Sequence, residues 1–239
     1  MRFTRQLPTQ TRGVCFSSVK EKLNRWLPFA FVVLFAFLRV PGVIPEKWVN
    51  FSAAYAFVFC AGVFFTGAMA WWFPIATLLV TDIGLNLYYS LCLGWDVWNL
   101  SVVGYQLVNY VAYAAIIFLG RRFKPRSSFV SLLGGGILGA LLFYLITNTA
   151  SWLFNPFQNP EYTKNFWGWL TALITGTKGW PQTWEFFRNT LLSGGLFTGL
   201  FVGAMKLTAE SPQEKVAGAR EEQPDAEGEP AEQPEKAKA

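Results

Sequence analysis

Residues 51–91 read FSAAYAFVFCAGVFFTGAMAWWFPIATLLVTDIGLNLYYSL, a run in which Asp82 is the one Asp, Glu, Lys or Arg. As a single helix, about 40 residues would extend roughly 60 Å at ~1.5 Å per residue, twice the ~30 Å hydrocarbon core of a bilayer. The run therefore reads as a tight hairpin of two spans, 51–70 and 72–91, divided around Trp71, Trp72 and Pro74. Similar apolar windows lie on either side, at 23–40, 99–119, 128–150 and 187–206. A spanning helix needs about 20 mainly apolar residues. The expected fold is therefore all-α, an integral membrane bundle of six transmembrane helices.

Composition agrees with this. Of 239 residues 52% are hydrophobic and 18% aromatic, while only 15% are charged, against about 25% in soluble domains. The charge is also segregated. Residues 208–239 hold nine of the fifteen acids but four of the twenty bases, so the preceding 207 residues carry a net +10 and the tail −5. Three parts follow: a basic leader (1–22), a transmembrane domain (23–207) and an acidic tail (208–239). The tail has no aromatic residue and too little apolar surface to offset its ordering entropy, so it is expected to be disordered. The leader and first span resemble a signal peptide. Arg39, Pro41, Pro45 and Glu46 stand where a small-residue cleavage site would have to lie, so an uncleaved helix is expected.

Lys and Arg set the orientation. Six stand at the N-terminus up to Arg25, four (Arg121, Arg122, Lys124, Arg126) between the fourth and fifth spans, and five from Lys206 onward; the opposite side receives five. The chain is expected to cross the bacterial cytoplasmic (inner) membrane several times, with both termini in the cytoplasm. Its expected surroundings are membrane lipid, with no nucleic-acid partner.

Histidine is absent, which excludes Ser-His-Asp hydrolases, H-E-x-x-H zinc proteases and Ser-His intramembrane proteases. Cys15, Cys60 and Cys92 are too far apart for a C-x-x-C pair. No cofactor or metal is expected, and no enzymatic activity. A lipid-acting enzyme would need a second carboxylate near Asp82 or a metal cluster, and no span supplies either; Glu161 and Glu185 are external and far apart in sequence.

Tryptophans are lopsided. Trp26, Trp71 and Trp72 fall near the inner interface, and the other eight at or beyond the outer one. Several crowd the external loop at about 151–186, where a short helix near 166–175 is expected. That loop is either a lid over a solute site or a segment resting on lipid headgroups. Polar side chains share the outer bias. Asp82, Asn86 and Tyr89 lie on one helical face, and Gln106, Asn109, Tyr110 and Tyr113 recur at helical spacing. Asn148 ends the fifth span and Asn189 begins the sixth. A cavity opening outward is expected, with no through-going pore. Asp82 costs at least ~2.5–3.5 kcal/mol to insert. The Lys and Arg of the spans stand at their ends (Arg25, Arg39, Arg188, Lys206), so with no intramembrane cation expected to neutralise it, its expected partners are amide or phenol groups, a ligand cation or a proton. Gly195, Gly199 and Gly203, with Gly135 and Gly139, form small-residue stripes expected to serve intramolecular helix packing.

Four stretches carry a resemblance: Asn50-Phe51-Ser52 leading into Ala53, Ala54 and Ala56; Asp82; Phe143 to Asn148 followed by Trp152; and Phe186 to Leu191. Together, over roughly residues 38–205, they resemble an uncharacterised family of bacterial six-span proteins. That family is in turn similar in fold to the substrate-binding S components of energy-coupling-factor (ECF) vitamin transporters. The resemblance implies a small solute bound in the outer half, with a transmembrane coupling subunit and two ATPases as partners; the chain itself has no G-x-x-x-x-G-K-[ST] loop. It departs from S components in its first span, where Ala30 and Ala36 stand six apart in place of an A-x-x-x-A docking stripe. The candidate ligand-binding residues are Asn50, Asp82, Asn86, Gln106, Asn109, Asn148, Trp152 and Asn189. A ring-bearing, vitamin-like solute with a cationic or hydrogen-donating group is expected. The alternative is a membrane scaffold or assembly protein with no transported ligand.

Overall fold

The computed structural model describes residues 26–208; the basic leader and the tail from 209 lie outside them. Every regular element among the described residues is helical. The helices are α1 (Trp26–Leu38), α2 (Ala54–Phe64), α3 (Met69–Leu93), α4 (Leu100–Gly120), α5 (Phe129–Phe154), α6 (Phe166–Ile174) and α7 (Thr183–Thr208). Four of them, α3, α4, α5 and α7, are long and apolar enough to cross a membrane. At 1.5 Å per residue each exceeds the ~30 Å hydrocarbon core. Large apolar side chains such as Val80, Leu91, Val111 and Val130 are exposed along them, as lipid-facing positions are.

The expected second span comes out short. Helix α1 covers 13 described residues and α2 only 11; at 1.5 Å per residue α2 reaches roughly half the core thickness. The break between α2 and α3 also differs from expectation. Trp71, Trp72 and Pro74 all lie inside α3. The chain turns at 65–68 instead, where Phe65 is extended and Gly67 has φ +57°, a left-handed conformation that glycine adopts without Cβ strain.

Helix α2 is the centre of the bundle. Ten of its eleven residues are buried, as expected of a helix apolar all round. It meets α4 backbone to backbone at Gly62 and Gly120: a Cβ on Gly62 would lie 2.4 Å from the Ile117 carbonyl oxygen, and one on Gly120 2.4 Å from that of Phe59. The glycines of α5 serve three neighbours, Gly139 lying against Ile116 of α4. Gly135 receives the Phe59 ring of α2 and Gly136 the Thr198 side chain of α7. The glycine stripe of α7 is covered from within the chain, Gly195 by Ile137, Gly199 by Leu133 and Phe129, and Gly203 by Phe129. Side-chain caps start α4 (Asn99 to the Val102 amide), α5 (Ser128 to the Ser131 amide) and α6 (Asn165 to the Gly168 amide).

Helix α6, predicted at 166–175, is tied to the end of α5. The Tyr144 hydroxyl donates to the Leu173 carbonyl, and Trp169 Nε1 donates to Thr149 Oγ1 at 3.0 Å. The Lys164 ammonium donates to the last carbonyls of α5, those of Trp152 (2.6 Å) and Leu153, where the helix dipole favours a cation.

The α2–α4 crossing gives a paired prediction. Gly62→Ala should destabilise the protein by about 1–3 kcal/mol through overpacking against backbone. Gly84→Ala on α3, where a Cβ meets nothing within 4 Å, should be neutral or stabilising by helix propensity. Thermal unfolding in detergent reads both, and equal midpoints would refute the close-approach account.

Candidate functional site

A cavity of about 1010 Å³ lies at the tryptophan-rich end. Its walls come from the segment after α1, the start of α2, the adjoining turns of α3, α4 and α5, and the α5–α7 connection. Tyr55, Tyr113 and Phe143 line it and touch ring to ring, with Phe143 4.8 Å from Tyr55 and 5.0 Å from Tyr113, the latter pair stacked. Trp48, Phe157 and Trp180 also line it; Trp180 is 75% exposed and forms part of the rim. Tyr89, Tyr105 and Tyr162 bring the lining tyrosines to five with Tyr55 and Tyr113. Burial raises the pKa of the Tyr162 phenol, and Tyr105 and Glu161 add to the shift.

Helical geometry sorts the polar residues of α4 onto two faces. Tyr105, Asn109 and Tyr113, each four apart, face the cavity. Gln106 and Tyr110 face α3. On α3 the division is the same: Leu85 and Tyr89 line the cavity, while Asp82 and Asn86 meet α4. The two antiparallel helices are thereby joined by polar pairs one turn apart. Asn86 and Gln106 exchange amide hydrogen bonds of 3.0 and 2.9 Å, and the Tyr110 hydroxyl donates to Asp82 Oδ2 at 2.7 Å.

The sequence-predicted site residues therefore divide. Asn50, Asn109 and Asn148 line the cavity. Asn50 has φ +68° and accepts the Tyr55 hydroxyl at its carbonyl; Asn148 donates to the Tyr144 carbonyl at 2.8 Å. Asp82, Asn86, Gln106, Trp152 and Asn189 are not among the lining residues. Trp152 Nε1 donates to the Thr163 carbonyl at 2.7 Å, inside the connection to α6. Asn189 is buried and donates to the Lys47 and Val49 carbonyls at 3.1 and 3.0 Å, fastening the segment before α2 to α7.

Asp82 departs most from expectation. It is not without a cation: Arg39, the first residue after α1, donates from Nη2 to Asp82 Oδ1 as an ion pair. The side chains are 20% and 17% exposed, and the guanidinium also lies over the Phe35 ring, 5.4 Å from its centroid. In the sequence Arg39 counts as an external charge; in the fold its long side chain reaches back along α1 to the depth of α3's middle. Arg39 itself lines the cavity, and among the described lining residues it is the one charged side chain. Arg39, Tyr55, Tyr105 and Tyr162 are the site residues that sequence reasoning missed. For Tyr105 the signal was present, in its spacing of four and eight from Asn109 and Tyr113. Among the described residues no group of three or more His, Cys, Asp or Glu side chains could hold a metal ion.

Four membrane-length helices around a buried short one, with a large aromatic cavity at one end, define the class: an integral membrane protein with room for a small molecule. The chain belongs to a family of unknown function, DUF6580, whose model matches residues 20–217. No curated protein and no solved structure matches it significantly.

The ion pair gives a second prediction. Arg39→Gln leaves a mostly buried carboxylate without its cation and should cost about 3–5 kcal/mol, whereas Arg39→Gln with Asp82→Asn should cost far less. Thermal midpoints of the two variants test this, and a double variant no more stable than the single one would show that the charges are not coupled.

Proposed function

We propose that this protein binds a small solute from the outer face of a cytoplasmic membrane, as the specificity subunit of an ECF-like uptake system. The observation that carries the reading is the cavity of about 1010 Å³ at one end of the bundle, at the upper limit of ordinary small-molecule sites. Its lining combines flat aromatic surface with hydroxyls and amides, which suits a ring-bearing polar molecule. In this reading α1 and α2 complete six crossings together with the four long helices, the basic 121–126 loop and both termini face the cytoplasm, and the tryptophan-rich end faces outward. The α5–α7 connection then acts as a cover, supported by Thr177 and Trp180 in the cavity wall.

The protein would bind without catalysing. The described lining offers phenols, amides, small hydroxyls and one guanidinium, with no carboxylate or thiol to serve as base or nucleophile. Energy for uptake would come from separate ATPases through a coupling subunit, docked without the A-x-x-x-A stripe that S components carry.

Two measurements test this. Protein purified under gentle conditions should retain a small molecule detectable by mass spectrometry, and Asn109→Trp, which places a bulky ring in the cavity, should lose it while staying folded and monodisperse; an equally loaded variant would refute the site. In a cysteine-free background, Lys178→Cys should react with a membrane-impermeant maleimide in intact cells and Arg122→Cys only after permeabilisation. The opposite pattern would invert the orientation.

A further inference from the structure

The cavity has a sign, and it is opposite to the one that Asp82 suggests in the sequence. Both carboxylate oxygens of Asp82 are engaged from within the chain, Oδ1 by Arg39 and Oδ2 by Tyr110, and Asp82 is not a lining residue. Arg39 is. Its Nη2 serves Asp82, its Nε is buried with no acceptor among the described residues, and no hydrogen bond from its Nη1 is made there either. A buried donor without an acceptor costs about 1–3 kcal/mol. A guanidinium offers five N–H donors in a planar fork suited to carboxylate geometry.

We propose that the solute is a ring-bearing molecule with a carboxylate or comparable anionic group, received by Arg39 while the ring rests against the Tyr113–Phe143 stack. The inference rests on the solute-binding reading above and names the ligand class of that site. Asp82 is a positioning residue. It holds the guanidinium at the cavity wall, keeps it from being an unpaired charge when the site is empty, and by its own negative charge tempers the attraction for an anionic ligand so that release remains possible. Tyr and Asn donors such as Asn109 complete the polar surroundings of the acceptor group.

The test uses three probes that share one ring and differ in charge: indole-3-acetate (anionic), indole-3-acetamide (neutral) and tryptamine (cationic). Binding is measured by calorimetry on the full chain in nanodiscs of zwitterionic phosphatidylcholine, so that lipid charge does not bias the result. The wild type should bind indole-3-acetate about 10-fold more tightly than tryptamine, with the amide between, as a charge-assisted hydrogen bond requires. In Arg39→Gln with Asp82→Asn, which removes both charges and leaves no bare carboxylate, the three affinities should converge. In Arg39→Asp with Asp82→Arg, which keeps the pair but exchanges its poles, the order should invert. Helical circular dichroism and a monodisperse elution profile establish that each variant is folded. Equal binding of the three probes by the wild type, a preference for tryptamine, or an undiminished anion preference in the doubly neutral variant overturns the inference and leaves the solute-binding reading standing. No saturable binding of any probe by the wild type, up to solubility limits, counts against the solute-binding reading and takes this inference with it.

Discussion

A carboxylate at the depth of a membrane-spanning helix has to be satisfied from within the protein, because lipid offers it nothing. Asp82 imposes that condition on this fold. One oxygen draws Arg39 back from the end of α1 and the other draws Tyr110 from α4, so a single side chain ties three helices together. One turn along, Asn86 and Gln106 repeat the connection between α3 and α4 with a reciprocal amide pair. Helix α3 needs both. Only Ala70, Pro74, Leu78 and Asn86 of its 25 residues are buried; its first turns pack Phe73 and Leu78 against the core, and its second half is joined to α4 by these polar pairs. The same ion pair fixes the Arg39 side chain against the cavity wall, which makes the packing requirement of a helix also the source of the site's charge.

Elsewhere the bundle is held by shape. Between lipid-soaked helices there is little hydrophobic drive to associate, and close van der Waals packing of small residues takes its place. The Gly62–Gly120 crossing brings α2 and α4 to backbone contact, and Gly135 and Gly136 let α5 accept a ring from one side and a threonine from the other. The cavity is the exception to this close packing. It opens where the residues of α4 and α5 change from small and aliphatic to tyrosine, asparagine and threonine, and its floor is the ring contact of Tyr55, Phe143 and Tyr113.

Much of this was legible in the sequence. The windows at 99–119 and 128–150 and the short helix near 166–175 coincide closely with α4, α5 and α6, because hydropathy and caps are local properties. The place of Asn109 and Asn148 in the cavity wall was likewise visible as a polar half on each helix. What stayed hidden depended on tertiary structure. A hydropathy window over 51–70 cannot distinguish a membrane crossing from a buried core helix, so α2 appeared longer than it is, and Pro74 drew attention away from Gly67 as the turning point. The Arg39–Asp82 pair joins residues 43 positions apart, and nothing local to either marks the other. The polar residues of α4 read as one stripe until their two partners, the cavity and α3, divided them.

The central position of α2 also bears on the order in which the chain can be assembled. Translated second, it must wait for its neighbours: its glycine crossing belongs to the far end of α4, and the ring contacts of Phe59 and Tyr55 belong to residues 123, 135 and 143. Until those segments emerge, an eleven-residue apolar helix too short to span the bilayer alone has only the Phe35 ring of α1 and the Phe73 ring of α3 beside it. The surroundings of α2 are complete only with α7, the last helix described, whose Phe201 ring lies 5.7 Å from that of Phe64.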